Sequence, residues 1–125
     1  MSYTDLLKRI WEFVYEPDLD VTSTVEQYFH PDYEQSINGV IMNRSDYIAH
    51  VIEQKRNMRI RHIQYKHIVE VGNEVFALYY PQGVSLNDST IEAEVIAYFQ
   101  FKEQKLLKIH GQVRLIKGNL TDVDM

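Results

Sequence analysis

The strongest constraint in this chain is a change of hydrophobic period near residue 59. Before it, apolar residues return every three or four positions, the spacing of a helix with one buried face. From Arg59 onward apolar and polar residues alternate, and β-branched and aromatic types dominate, which is the pattern of half-buried strands. Gly72-Asn73 joins RIRHIQYKHIVEV to EVFALYYPQGV as a two-residue hairpin. Glycine at the first turn position supplies the positive φ that a type II′ turn requires. VSLNDST breaks the alternation, and IEAEVIAYFQFK and LLKIHGQVRLI then provide two more strands. Four long antiparallel strands are expected.

The first half carries three helix signals. Ser2 with Asp5 forms a capping pair ahead of Tyr3, Leu6, Leu7, Ile10 and Val14, and Pro17 stops the run. Ser23 with Glu26 opens a second, short helix bearing Val25, Tyr28 and Phe29, with Pro31 as its terminator. After PDYEQSING, read as a short strand closed by an Asn38-Gly39 turn, Ser45 caps SDYIAHVIEQKRNM, whose stripe is Tyr47, Ile48, Val51 and Ile52. Three N-terminal helices packed on one face of a curved, mainly antiparallel sheet make an α+β layout. A chain of 125 residues with no repeat or linker suits a single domain over 1–125, with only the tail NLTDVDM frayed.

Charge and composition narrow the function. A net charge of -5 and a pI near 5.5 argue against a nucleic-acid binder. The one basic stretch, QKRNMRIRHIQYKHIV, is read as a helix C-terminus followed by the solvated face of a strand. No apolar run approaches the roughly 20 residues of a membrane span, and the N-terminus shows no secretory signal pattern. With no cysteine there is no disulfide or thiolate ligand, and a cytoplasmic location is expected. His62 and His67 stand five apart on a strand and point to opposite faces, and neither HExxH nor a paired Glu-x-x-His motif occurs. Neither metal nor bound cofactor is expected.

The order of elements, together with FHPDYEQSING followed by SDYIAHV and the late FQFKEQKLLKIHGQVRLI, resembles the SnoaL-like branch of the nuclear transport factor 2 superfamily. The resemblance covers nearly the whole chain. It implies an NTF2-like, cystatin-like cone, in which a bent sheet wraps a long helix and encloses a pocket. It also implies a range of roles: polyketide cyclases, ketosteroid isomerases, dehydratases, epoxide hydrolases, and members that only bind or dimerise. Fold alone does not choose among them.

Candidate site residues follow from both sources. Tyr33 and Gln35 share one strand face with Ile37, and the resemblance puts that strand at the wall or mouth of the pocket. Tyr79, on the Val75 and Ala77 face of its strand, is taken as a further ligand-binding residue. DYIAHV resembles the helix position from which relatives aim a histidine inward, which singles out His50, although helical geometry sets it off the stripe beside Gln54. His30, beside Pro31 at a helix end, reads as a cap or surface residue. On the last two strands, matching apolar rows across an odd loop such as Glu103 to Lys105 pairs Tyr98 with His110, Ile96 with Gln112, and Glu94 with Arg114. Glu94, Tyr98, His110, Gln112 and Arg114 then form one polar stripe, facing either a pocket or solvent and a second subunit.

Isomerase and cyclase chemistry needs a carboxylate base beside a phenol or protonated acid. The aspartates here fall at helix starts, in loops or in the tail, or open the first strand, so the sheet aspartates of characterised relatives have no counterpart. His50, His110 and Glu94 remain as the catalytic candidates, with an Arg114 partner lowering the basicity of Glu94. The reading is a small-molecule-binding protein with a hydrophobic pocket for an aromatic or apolar ligand, whose enzymatic form is an isomerase, polyketide cyclase or hydrolase of unknown substrate. EVFALYY is apolar on both faces, which implies a homodimer through the sheet. The alternative is a non-catalytic dimerisation or protein-interaction module using that open face.

Overall fold

The computed structural model describes residues 2–118, so the 119–125 tail lies outside the described residues. Helices α1 (Tyr3–Val14) and α2 (Val21–Tyr28) precede β1 (Phe29–Ile37) and β2 (Val40–Asn43), and α3 (Arg44–Asn57) leads into β3 (Met58–Val71), β4 (Glu74–Ser85), β5 (Thr90–Lys102) and β6 (Lys105–Lys117). The strands form one sheet in the order β2-β1-β6-β5-β4-β3, antiparallel except where β1 runs parallel to β6. The result is an α+β arrangement of three helices on a curved, unclosed sheet.

Ser2 caps α1 by accepting from Asp5 N at 3.0 Å, as its sequence spacing requires. The other two caps differ from expectation. Asp20, not Ser23, caps α2, because its carboxylate accepts from both Ser23 N and Ser23 Oγ. Asn43, not Ser45, caps α3 in a reciprocal box with Asp46. In each case the true cap lies two or three residues upstream, where the backbone is still extended. Pro31 does not end α2 but lies inside β1, within the shift of register between Phe29 and Glu34. There the strand bulges away from β6, and a residue without an N–H breaks no ladder bond.

Turn chemistry fixes the hairpins. Gly72 has φ 59°, in keeping with type II′, and Asn38 and Gly39 have φ 52° and 81°, as type I′ needs. The β5–β6 connection is the two-residue Glu103-Gln104, with φ 54° and 64°, rather than a three-residue loop. The expected pairing of Glu94 with Arg114, Ile96 with Gln112 and Tyr98 with His110 is nonetheless present. Leu107 supplies the missing residue, since Phe101 pairs with Leu106 and Gln100 with Lys108. A bulge thus does the work assigned to the loop.

The core lies between the helices and the inner sheet face, where Leu7, Ile10 and Val14 of α1, Val25 of α2 and Val51 of α3 meet Phe99, Phe101 and Ile109. Both ends of the α1 segment are strapped down. Glu70 of β3 accepts from Tyr3 N, Thr4 N and Thr4 Oγ1 at 3.2, 2.8 and 2.7 Å. Lys55 of α3 donates to the carbonyls of Glu16 and Leu19. The bonds to Thr4 hold the Glu70 carboxyl below its ordinary value of 4.5. A depressed carboxyl pKa stabilises the fold fully above the unfolded value and loses that contribution as pH falls through the folded one. Glu70→Ala should therefore lower the urea midpoint at pH 7 but have little effect near pH 2; a deficit that persists undiminished in acid would contradict the clasp. Among the described residues no helix is long and apolar enough to cross a membrane.

Candidate functional site

The interior between helices and sheet is aromatic and contains buried polar atoms. Tyr33, Tyr47 and Tyr79 are 1%, 1% and 2% exposed, and Tyr15 and Trp11 are buried with them. Tyr33 stands in the bulged part of β1 and packs edge-on to Phe29, which stacks on Tyr47 at 5.1 Å between centroids. Trp11, on the inner side of α1, reaches Phe99 and also Tyr15, one turn on at the helix's C-cap. Tyr79 of β4 lies between Tyr65 and Phe99. The Tyr15 hydroxyl is close enough to act on those of Tyr33, Tyr47 and Tyr79, so the phenols form one group.

Burial is the first cause that raises Tyr33, Tyr47 and Tyr79 well above the ordinary phenol value. All three keep their protons and remain donors. Tyr33 donates to Gln35 Oε1 at 2.7 Å, and Gln35 Nε2 lies 3.8 Å from Met42 Sδ. By contrast Trp11 Nε1 and the Tyr47 hydroxyl have no hydrogen-bond partner. Trp11 Nε1 nears the Tyr79 hydroxyl and the Tyr47 hydroxyl nears Tyr15, polar contacts that fall short of full hydrogen-bond geometry. Such buried, unsatisfied groups carry a desolvation penalty that a ligand atom could remove.

A cavity of 370 Å³ opens beside this group, between α1 and the first half of β3. Trp11 and Tyr15 belong to both the cavity and the tyrosine group, and Ile60, Ile63 and Tyr65 supply the facing wall. Its rim carries Lys8, Glu12, Glu16, Arg61 and His62, with Lys8 Nζ 5.1 Å from the Tyr65 ring centroid.

The sequence-predicted residues separate onto the two sheet faces. Tyr33, Gln35 and Tyr79 are together inside. Glu94, Tyr98, His110 and Gln112 lie on the opposite face, away from the helices. There Glu94 accepts from the Tyr80 hydroxyl at 2.8 Å and from Arg114 Nε at 3.2 Å, and the two bonds, in that order of effect, lower its carboxyl, which is the wrong direction for a base. His50 is half-buried on α3, and the three catalytic candidates do not converge. His30 is 8% exposed rather than a surface residue, because the β1 bulge turns its ring inward, where Nδ1 accepts from Asp32 N. Among the described residues no group of three or more His, Cys, Asp or Glu is placed to hold a metal ion. Trp11, Tyr15 and Tyr47 were absent from the sequence-derived site. Trp11 and Tyr15 continue the α1 stripe at four-residue spacing from Leu7, and that was the available signal.

No protein-family model matches the chain, and no curated protein matches it significantly. Solved structures do. A Rhodopseudomonas palustris protein provisionally assigned as an isomerase superposes with a TM-score of 0.80 at 8% identity, over 90% of each chain. AclR of Streptomyces galilaeus, provisionally assigned as a hydroxylase, gives 0.73 at 9% identity over 91% of this chain and 79% of its own. An NTF2-like protein of unknown function from Cytophaga hutchinsonii gives 0.61 at 10% identity over 88% and 97%. At such identities the likeness is one of backbone architecture, and it shows that this chain has the nuclear transport factor 2-like fold its sequence resembles.

Proposed function

We propose that the chain binds an uncharged, largely aromatic small molecule carrying an oxygen acceptor, which enters between α1 and β3 and reaches the tyrosine group. The observation that carries this reading is the pair of unsatisfied polar groups, Trp11 Nε1 and the Tyr47 hydroxyl: Trp11 lines the cavity, and Tyr47 is buried against Tyr15, which lines it too. The indole N–H can only donate and a protonated phenol readily does, so a carbonyl, ether or hydroxyl oxygen suits them. A carboxylate does not fit as well. The cavity's cations, Lys8 and Arg61, stand at its rim, and among the described residues no fully buried side chain is Lys or Arg. An anion carried through to the tyrosine group is therefore desolvated away from its counter-charge. The solved structures assigned as an isomerase and a hydroxylase are compatible with a ligand in such a space.

Binding is favoured over turnover because the interior has phenols but lacks a buried carboxylate among the described residues. Isomerase, cyclase or hydrolase chemistry would draw its base from the rim, where Glu12, Glu16 and His62 stand. Trp11 is the single tryptophan, so its emission reports the site directly. Titration with a neutral aryl ketone and with the matching aryl carboxylate should give saturable quenching by the ketone, with at least about tenfold weaker binding of the carboxylate, as one uncompensated charge predicts. Quenching by neither at millimolar concentration would remove the reading.

The sheet's outer face supports a second function, homodimerisation. Val69, Phe76 and Ile96 are 56%, 50% and 60% exposed there, and a shallow groove of 480 Å³ runs between them. Its rim bears both signs of charge, Arg114 with Glu94 at one end and Lys108 with Glu74 at the other. An apolar centre with a rim whose charges are balanced within each subunit meets a second copy of itself without net repulsion.

A further inference from the structure

Strand register sorts the outer face into rows that cross the sheet. One row is Val69, Phe76, Tyr98 and His110; the next is His67, Leu78, Ile96 and Gln112. The two histidines therefore occupy diagonally opposite corners of the apolar block, and both line the groove. Between these rows the inner-face positions are Ile68, Ala77, Ala97 and Gly111, and the last three, all small, also border the groove. A Cβ on Gly111 would meet Ala97 Cβ at 2.9 Å.

The charged groups facing this block are bounded on each side. Beyond His67 and Gln112 lie Tyr80, Glu94 and Arg114, already tied to one another, with Lys66 close enough to act on Glu94. Beyond Val69 and His110 lie Glu74, Lys108 and Glu34, with Glu74 engaged by the Tyr98 hydroxyl. Within the two rows no carboxylate is present to hold an imidazolium.

We propose that the homodimer formed through this face is acid-labile, with His67 and His110 as its pH-sensing pair; this rests on the dimer reading above. In the free subunit both rings are exposed to water, which accepts an imidazolium as readily as a neutral ring. In the dimer they lie against Phe76, Leu78 and Ile96 and their copies, where only the neutral ring is tolerated. Association therefore expels protons from both rings in each subunit, and acid favours the monomer by mass action.

Sedimentation equilibrium of the full chain at pH 7.5, 6.5 and 5.5 tests this directly. The dissociation constant should rise at least about tenfold between the first and last, the effect of a one-unit shift on a single one of the four rings in the dimer. The doubly substituted H67Q/H110Q chain should dimerise with a constant that varies less than about twofold over the same range, against a decade for each sensing ring. A pH-independent constant in the wild type, tighter association in acid through a partner carboxylate, or an undiminished pH response in H67Q/H110Q would each overturn the proposal. A wild-type chain that stays monomeric at pH 7.5 up to about 100 µM would overturn the dimer reading itself, leaving interior binding intact; that limit corresponds to roughly 5.5 kcal/mol of association.

Discussion

Gly83→Ala is expected to cost about 3 kcal/mol or more, at the upper end of what overpacking a tight site does. Gly83 lies on the inner face of β4, where the β3 register shifts between Ile60 and His62 and the edge strand folds closely over its neighbour. A Cβ built there collides with the Arg59 carbonyl oxygen, and lies 2.9 Å from the Arg59 carbonyl carbon and 3.1 Å from Ile60 Cα. All three atoms are backbone, so no rotamer change relieves the contact and β3 must lift from β4. Ile60 and Ile63 would move with it, and they wall the cavity, so ligand quenching of Trp11 should fall as well. Gly72→Ala is the control. Its φ is 59° and nothing lies within 4 Å of the added Cβ, so only backbone strain of about 1 kcal/mol applies. Urea melts in which the two substitutions cost the same would show that the close approach at Gly83 is relieved at no expense.

The fold was legible in the sequence because its largest signals are local. Helical spacing in α1, alternation from β3 onward and the Gly72-Asn73 turn each specify a conformation through residues a few positions apart. The missed caps share a cause. Asp20 and Ser23, or Asn43 and Ser45, are both competent cap residues, and choosing between them depends on where the preceding backbone remains extended. The Leu107 bulge was hidden for another reason. Burying the rows of β5 and β6 on one side demands an odd offset, but alternation does not say whether a loop or a bulge supplies it.

The site was less legible. Alternation gives two faces per strand without saying which one the helices cover, so Tyr79 and Tyr98 were grouped though they lie on opposite sides. Tyr47 and Trp11 sit on helix faces whose apolar character sufficed to explain them. Their polar atoms gain meaning only when four tyrosines from the C-cap of α1 and from β1, α3 and β4 are brought together by long-range packing.

That convergence leads to a pair of substitutions with opposite consequences, each removing one hydroxyl. Tyr33→Phe should destabilise the free protein by about 1–3 kcal/mol, because it leaves the buried Gln35 carbonyl without its 2.7 Å donor. Tyr47→Phe should be neutral or stabilising by up to about 1 kcal/mol, since the lost hydroxyl is buried and unsatisfied while the ring keeps its stacking on Phe29. Binding should show the reverse order. If the Tyr47 hydroxyl donates to the ligand oxygen, Tyr47→Phe weakens the neutral ketone about tenfold or more, the worth of one buried hydrogen bond. Tyr33→Phe should weaken it less, because that hydroxyl is already committed to Gln35. A residue that serves only packing cannot raise stability and lower affinity through a single oxygen atom. Calorimetric titration alongside urea melts reads both quantities, and a Tyr47→Phe protein that is clearly destabilised, or binds the ketone as tightly as wild type, would show that this hydroxyl belongs to the core rather than to a ligand.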